Sequence, residues 1–112
     1  MYFYDYTFDE ELNQNLMRCY FERKVKNYKS QDRDAGREIS KENYVDTKWL
    51  MLAVNKRCCS CECDVFISFD TGNTFSNITA DRVNCKEDHN IFNIRPMCRW
   101  CNTCQSDNAS TA

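Results

Sequence analysis

Cys58-Cys59-Ser60-Cys61 and Cys98-Arg99-Trp100-Cys101 bracket the most informative segment of this chain. Between them stand Ile78-Thr79-Ala80-Asp81-Arg82, His89 and Asn93, and Asn102 follows directly. Each bracket is a Cys-x-x-Cys pair, and a tetrahedral structural zinc most often takes its four donors as two such short-spaced pairs. The thirty-six intervening residues are expected to fold back as a hairpin and bring the pairs together. The expectation is one Zn²⁺ on Cys58, Cys61, Cys98 and Cys101, contributing folding free energy directly. Among the remaining cysteines, Cys59 is an alternative to Cys58 and Cys63 a partner for Cys61. Cys85, Cys104 and His89 are the raw material of a second site, whereas Cys19 reads as a small buried hydrophobe.

Composition makes such a staple necessary. At 112 residues the chain is one domain, near the size at which a single apolar core is barely sufficient. Nine cysteines are an odd number, and Met1-Tyr-Phe-Tyr-Asp5 shows no basic region followed by an apolar run, so no secretory signal is expected. The reading is an intracellular chain, in cytoplasm or nucleus, where paired cysteines hold metals rather than form disulfides. The longest apolar run, Trp49 to Val54, is too short to span a bilayer, and no membrane partner is expected.

The net charge of −2 is unevenly spread. Residues 1–17 carry four acids and no base, residues 18–48 nine bases and six acids, and residues 49–112 six bases and seven acids. A tight, sequence-independent grip on nucleic acid needs many phosphate neutralisations. Contact with DNA is therefore expected to be weak or transient. The segment Asn102 to Ala112 contains no Lys or Arg, which argues against the basic recognition helix of a zinc-finger transcription factor.

Three segments follow: an N-terminal helical segment over 1–57, a zinc-stapled module over 58–107 and a tail over 108–112. Thr7 and Glu10 suggest a capping box opening a helix from about Phe8 to Lys29, with Leu12, Leu16, Cys19, Tyr20 and Phe21 on its packing face. Residues 30–43 read as a polar connector broken by Gly36. A second helix is expected over Thr47–Asn55 with Asp46 as N-cap, its Trp49, Leu50, Leu52 and Ala53 buttressing the first knuckle. Val65–Phe69, Ile78–Val83 and Ile91–Ile94 read as strands, with a turn over Asp70–Thr74. Pro96 is expected to end the pairing, and a last helix to begin near Asn102.

Thr79-Ala80-Asp81-Arg82-Val83-Asn84, His89, Asn93, Cys98-x-x-Cys101-Asn102 and Gln105-Ser106-Asp107 resemble the HNH (His-Me finger) endonucleases. The likeness is to their zinc-stapled Asp-Arg variant of phages and large DNA viruses, and it covers Cys58 to Asp107. It implies an α+β fold, a treble clef with a ββα-metal module, preceded here by two helices. It also implies that Asp81 and Asn102 hold a catalytic divalent ion, Mg²⁺ or Mn²⁺, and that Asn93 braces the loop carrying the general base. Arg82 stands where typical members have the basic histidine, Asp88 where a glycine is usual, and Gln105 where a lysine is usual.

The residue chemistry bears on those roles. Hard divalent ions prefer oxygen donors, which Asp81 and Asn102 offer. Their bland alternatives are a carboxylate capping a turn and an N-cap of the last helix. Arginine cannot abstract a proton, so Arg82 becomes a phosphate clamp and His89, the sole histidine, the candidate base. The expected function is metal-dependent hydrolysis of DNA phosphodiesters, with catalytic residues Asp81, Arg82, His89, Asn93 and Asn102. The competing expectation is a non-catalytic, zinc-binding interaction or structural protein, such as a virus-particle component. In that reading the N-terminal helix and the aromatic run Tyr2, Phe3, Tyr4, Tyr6 and Phe8 dock on a protein partner.

Overall fold

The computed structural model describes residues 10–70 and 73–103. The Thr7 cap, the aromatic run over 2–8, Thr71 and Gly72 of the turn, Cys104, Gln105, Asp107 and the tail lie outside them. The described chain is α+β: two helices, two antiparallel two-stranded sheets and a closing helical turn.

Helix α1 spans Glu10–Asp34, five residues beyond its expected end at Lys29. Its buried face is set by Phe21 and Tyr28, with Met17 and Val25 packed beside them. At 100° per residue these four positions and Asp32 share one narrow stripe, and Asp32 is fully buried. Leu12 lies half a turn away from Phe21 and is exposed. Cys19 is exposed as well, correcting its reading as a buried hydrophobe. The helix runs on because the stripe still faces the core at Asp32. It stops in a Schellman motif, in which Arg37 N–H donates to the Asp32 carbonyl (2.8 Å) and Gly36 N–H to that of Arg33 (3.0 Å). Gly36 has φ 75°, the left-handed conformation for which glycine is the least costly residue.

Helix α2, Thr47–Ala53, opens at Asp46, whose carboxylate accepts from Trp49 N–H (2.9 Å). Leu50 and Ala53 are buried. Leu52 points outward, 54% exposed, because it falls on the opposite side of this short helix, so it does not buttress the knuckle.

Strands β1 (Ile67–Asp70) and β2 (Asn73–Ser76) form one hairpin. Strands β3 (Ile78–Arg82) and β4 (Ile94–Cys98) form a second ribbon, pairing Ile78 with Cys98, Ala80 with Pro96 and Arg82 with Ile94. Pro96 is thus inside the ribbon rather than at its end. The backbone explains why it is tolerated. Ala80 N–H points away from β4 to Tyr28 Oη, and the Pro96 carbonyl points away from β3 to Cys59 N–H. A non-hydrogen-bonded pair needs no N–H from the proline. Residues 91–93 are not strand: the Asn90 carbonyl and side chain accept from Asn93 and Phe92 N–H and turn the chain.

The closing helical turn covers 99–103, so Asn102 is inside it rather than capping it. Phe21, Val45, Leu50, Val65, Ile78 and Met97 fill one core. That core draws on both sides of residue 57, and α1 packs on the module of its own chain. No described helix is long and apolar enough to cross a membrane.

Candidate functional site

The first polar site lies where β4 ends. The helical turn after Cys98 carries Cys101 back over it, while Cys59 N–H, held by the Pro96 carbonyl (3.0 Å), docks the first knuckle on the same strand. The Sγ atoms of Cys58, Cys61, Cys98 and Cys101 all fall within 4.8 Å of one another. Tetrahedral zinc with Zn–S bonds near 2.3 Å separates its sulfurs by about 3.8 Å, and Cys61 and Cys98 Sγ stand 3.9 Å apart. Ser60 N–H and Cys101 N–H point at the Cys58 and Cys98 sulfurs, 3.4 and 3.5 Å away. Such donors stabilise sulfur as thiolate. Burial pushes the Cys58 thiol up, but surrounding backbone N–H groups outweigh it and bring its pKa below the usual thiol range. The Cys61 sulfur beside Cys101 pushes that thiol up, since closely packed thiols resist ionising together. The cluster can hold a metal ion such as zinc, and it is the one such group among the described residues. Cys59, Cys63, Cys85 and His89 do not join it.

The second site is a cleft of about 500 Å³. Its walls are Lys24, Tyr28 and Gln31 of α1, residues 79–83 on and just beyond β3, Cys85 and His89 of the β3–β4 loop, Arg95 of β4, and Asn102. Asp81, Arg82, His89 and Asn102, separate in sequence, therefore share one cavity, which Asn93 does not line. Lys24, Arg82 and Arg95 face a single acidic wall residue, Asp81, so the cleft favours anions. Burial first, and then the Arg99 charge, depress the Lys24 pKa.

Asp81 stands directly across the ribbon from Arg95, and its Oδ2 accepts from Arg95 Nε at 2.9 Å. The second carboxylate oxygen faces no other described partner. Arg82 Nη1 donates to the carbonyls of Cys85 (2.6 Å) and Glu87 (3.4 Å), tying the loop to the end of β3. Burial, then repulsion from Arg37, lower the Arg82 pKa, yet it stays a cation. Asn93 is buried behind the loop. Its Oδ1 accepts from Asn84 N–H (2.9 Å), while its Nδ2 donates to the carbonyls of Asn84 (3.1 Å) and Asp88 (2.9 Å). One amide thus ties both limbs of the segment leading to His89.

His89 is buried, stacked on the Tyr28 ring at 4.4 Å between centroids. Its Nδ1 lies 2.9 Å from Asp32 Oδ2, and its backbone N–H donates to the same oxygen at 3.1 Å. Burial lowers the His89 pKa below its ordinary 6.5; the Asp32 hydrogen bond and charge oppose this, and the Arg82 and Arg37 charges reinforce it. The ring is neutral at neutral pH.

Asp32 is the residue that sequence reasoning missed, together with its partner Tyr44 and the cleft residues Tyr28 and Lys24. The available signal was its position four residues after Tyr28 and eleven after Phe21, on the apolar stripe of a helix. An acid there is buried only with partners.

No family model matches this chain, and neither a curated protein nor a solved structure does. What the fold and the sites define is a small α+β protein with a four-cysteine cluster able to hold a metal ion.

Proposed function

We propose that this chain hydrolyses phosphodiester bonds of DNA with the aid of a divalent ion, as a divergent relative of the zinc-stapled HNH endonucleases. The observation that carries the reading is the gathering of Asp81, Arg82, His89 and Asn102 in one cation-walled cleft. Zinc on the four cysteines is the staple that holds β4 and the helical turn in register. The free Asp81 oxygen and the Asn102 amide oxygen are hard donors suited to Mg²⁺ or Mn²⁺. Bound there, such an ion supplies charge neutralisation at the scissile phosphate.

The chain's own residues do the rest. His89, neutral at working pH, takes a proton from the attacking water, a task Arg82 cannot perform. Lys24, Arg82 and Arg95 supply positive charge for the phosphodiester, and Asn93 keeps the base-bearing loop in one conformation. With only three cations on the cleft walls, the DNA contact is weak or transient.

One feature favours the non-catalytic alternative, an interaction protein such as a virus-particle component: Arg95 already neutralises Asp81. Supercoiled and single-stranded DNA incubated with the protein in Mg²⁺ or Mn²⁺ decides between them. Nicking by the wild type that is lost in both Asp81→Ala and Asn102→Ala is the expected result. A wild type that cuts neither DNA form leaves the interaction protein standing.

A further inference from the structure

Asp32 comes from α1, outside the stretch that resembles a nuclease, yet each of its carboxyl oxygens meets a group that can only donate. Oδ1 accepts from Arg37 Nη1 (2.9 Å), and Oδ2 accepts from His89 backbone N–H (3.1 Å) and Tyr44 Oη (2.5 Å) and lies 2.9 Å from His89 Nδ1. The guanidinium on Oδ1 and the backbone amide on Oδ2 can only donate, and a fully buried carboxyl held in this way is favoured as the carboxylate. Burial by itself raises the Asp32 pKa. Hydrogen bonds from Tyr44 and from the His89 ring and backbone outweigh it and hold it below the ordinary carboxylate value.

An ionised partner can only accept, so the proton on the His89 ring sits on Nδ1. The ring is then held on two sides, by Asp32 at its Nδ1 edge and by Tyr28 against its face. Tyr28 is itself fixed by Ala80 N–H (3.1 Å), one residue before Asp81. Nε2 has no protein partner among the described residues, and His89 is a wall of the cleft. The charged and titratable groups around the ring are Asp32 and Tyr28 from α1, Arg37 and Tyr44 from the connector, and Arg82 from β3.

We infer that Asp32 is a positioning residue: it locks His89 as the Nδ1–H tautomer and turns the Nε2 lone pair to the cleft. Its use in catalysis rests on the hydrolytic reading above, whereas the tautomer does not. A second consequence is that residues 58–107 lack the carboxylate that orients their only imidazole.

Because the chain has one histidine, long-range ¹H–¹⁵N spectra of the zinc-loaded, full-length protein near neutral pH report that ring alone. The expected wild-type spectrum has a protonated Nδ1 and an unprotonated Nε2. A ring protonated on Nε2, or on both nitrogens, overturns the inference whatever the activity. In parallel, Asp32→Asn keeps the shape and removes the charge. Nicking is expected to fall by about 10²–10⁴-fold in kcat, with KM for DNA nearly unchanged and the acid limb of the pH profile moved to lower pH. A folded Asp32→Asn protein with wild-type kcat and pH profile also overturns it. A wild type with the expected tautomer that cuts no DNA sinks the hydrolytic reading instead and leaves the positioning of His89 supported.

Discussion

The two polar sites of this chain share one β-ribbon and are built in opposite ways. At the Ile78–Cys98 end, four sulfurs converge from two tight loops. Toward the Arg82–Ile94 end, the cleft takes walls from α1, β3, the loop, β4 and the closing turn. Each cysteine pair is local in sequence, and a bound ion would supply the energy that joins the two pairs. The cleft end is assembled over long range, with Asp32 and His89 57 residues apart, and depends on buried hydrogen bonds. The difference teaches where each is vulnerable: one to chelation and oxidation, the other to loss of a single carboxylate.

The strongest way to break the comparison is to remove the ion. Structural zinc sites in small domains contribute about 10–16 kcal/mol in apparent binding free energy, which is comparable to the whole stability of a typical domain, about 5–15 kcal/mol. Chelation is expected to abolish the cooperative unfolding transition in circular dichroism, and native mass spectrometry to count one tightly held zinc before stripping. A protein that keeps its tertiary signals when metal-free would show that the apolar core carries the fold unaided.

Next in size is the node at the other end. Asp32→Ala strands the Arg37, Tyr44 and His89 donors and is expected to cost about 3–5 kcal/mol in urea denaturation of the zinc-loaded protein. A loss below 1 kcal/mol, roughly the value of a surface pair, would mean that water replaces the carboxylate and that the cleft end is looser than its contacts imply.

Acid then separates the ends by pH window. The His89 pKa is lowered by folding, so the unfolded chain binds more protons as pH falls through 6.5, and stability declines from there. Asp32, also lowered, contributes stability above 3.8 that is lost as pH falls through its folded value. Denaturation midpoints are expected to drop between pH 7 and 5, and part of that drop should vanish in His89→Gln. An identical slope in the variant would assign the whole effect to metal release from the thiolates.

The smallest effect belongs to the first knuckle. Glu62, directly after Cys61, has φ 64°, a conformation that costs a non-glycine residue about 1–2 kcal/mol. Glu62→Gly is expected to raise the unfolding free energy by up to about 1 kcal/mol, read in the same urea titration. A clear loss would show that the Glu62 side chain supports the knuckle.

Much of this was readable without coordinates. Asp46 announced a helix start, because an N-cap acts within one turn, whereas Gly36 read only as the breaker of a connector and in fact terminates α1 in the left-handed conformation. Ile78 to Val83 read as strand, and all but its last residue is one. Pro96 misled because its meaning depends on which face of the ribbon its missing N–H would occupy, and only the pairing with Ala80 decides that. Leu52 misled because a seven-residue helix has little apolar periodicity from which to judge its facing. Asp32 was placed in a connector because Lys29 looked like a last turn, and with the helix cut short its place on the buried stripe vanished.

By itself, then, the amino-acid sequence determined the four-cysteine cluster and the starts of α2 and β3. Two residues between cysteines bring a pair of sulfurs to one ion within a single turn of chain, whatever surrounds them. Only the tertiary structure decided that α1 lies against the β-ribbon, that Asp32 meets His89 and that Lys24 joins Arg82 and Arg95 in one cleft. Those contacts join residues tens of positions apart. Their geometry comes from packing Phe21, Tyr28 and Val45 into a shared core, not from any spacing along the chain.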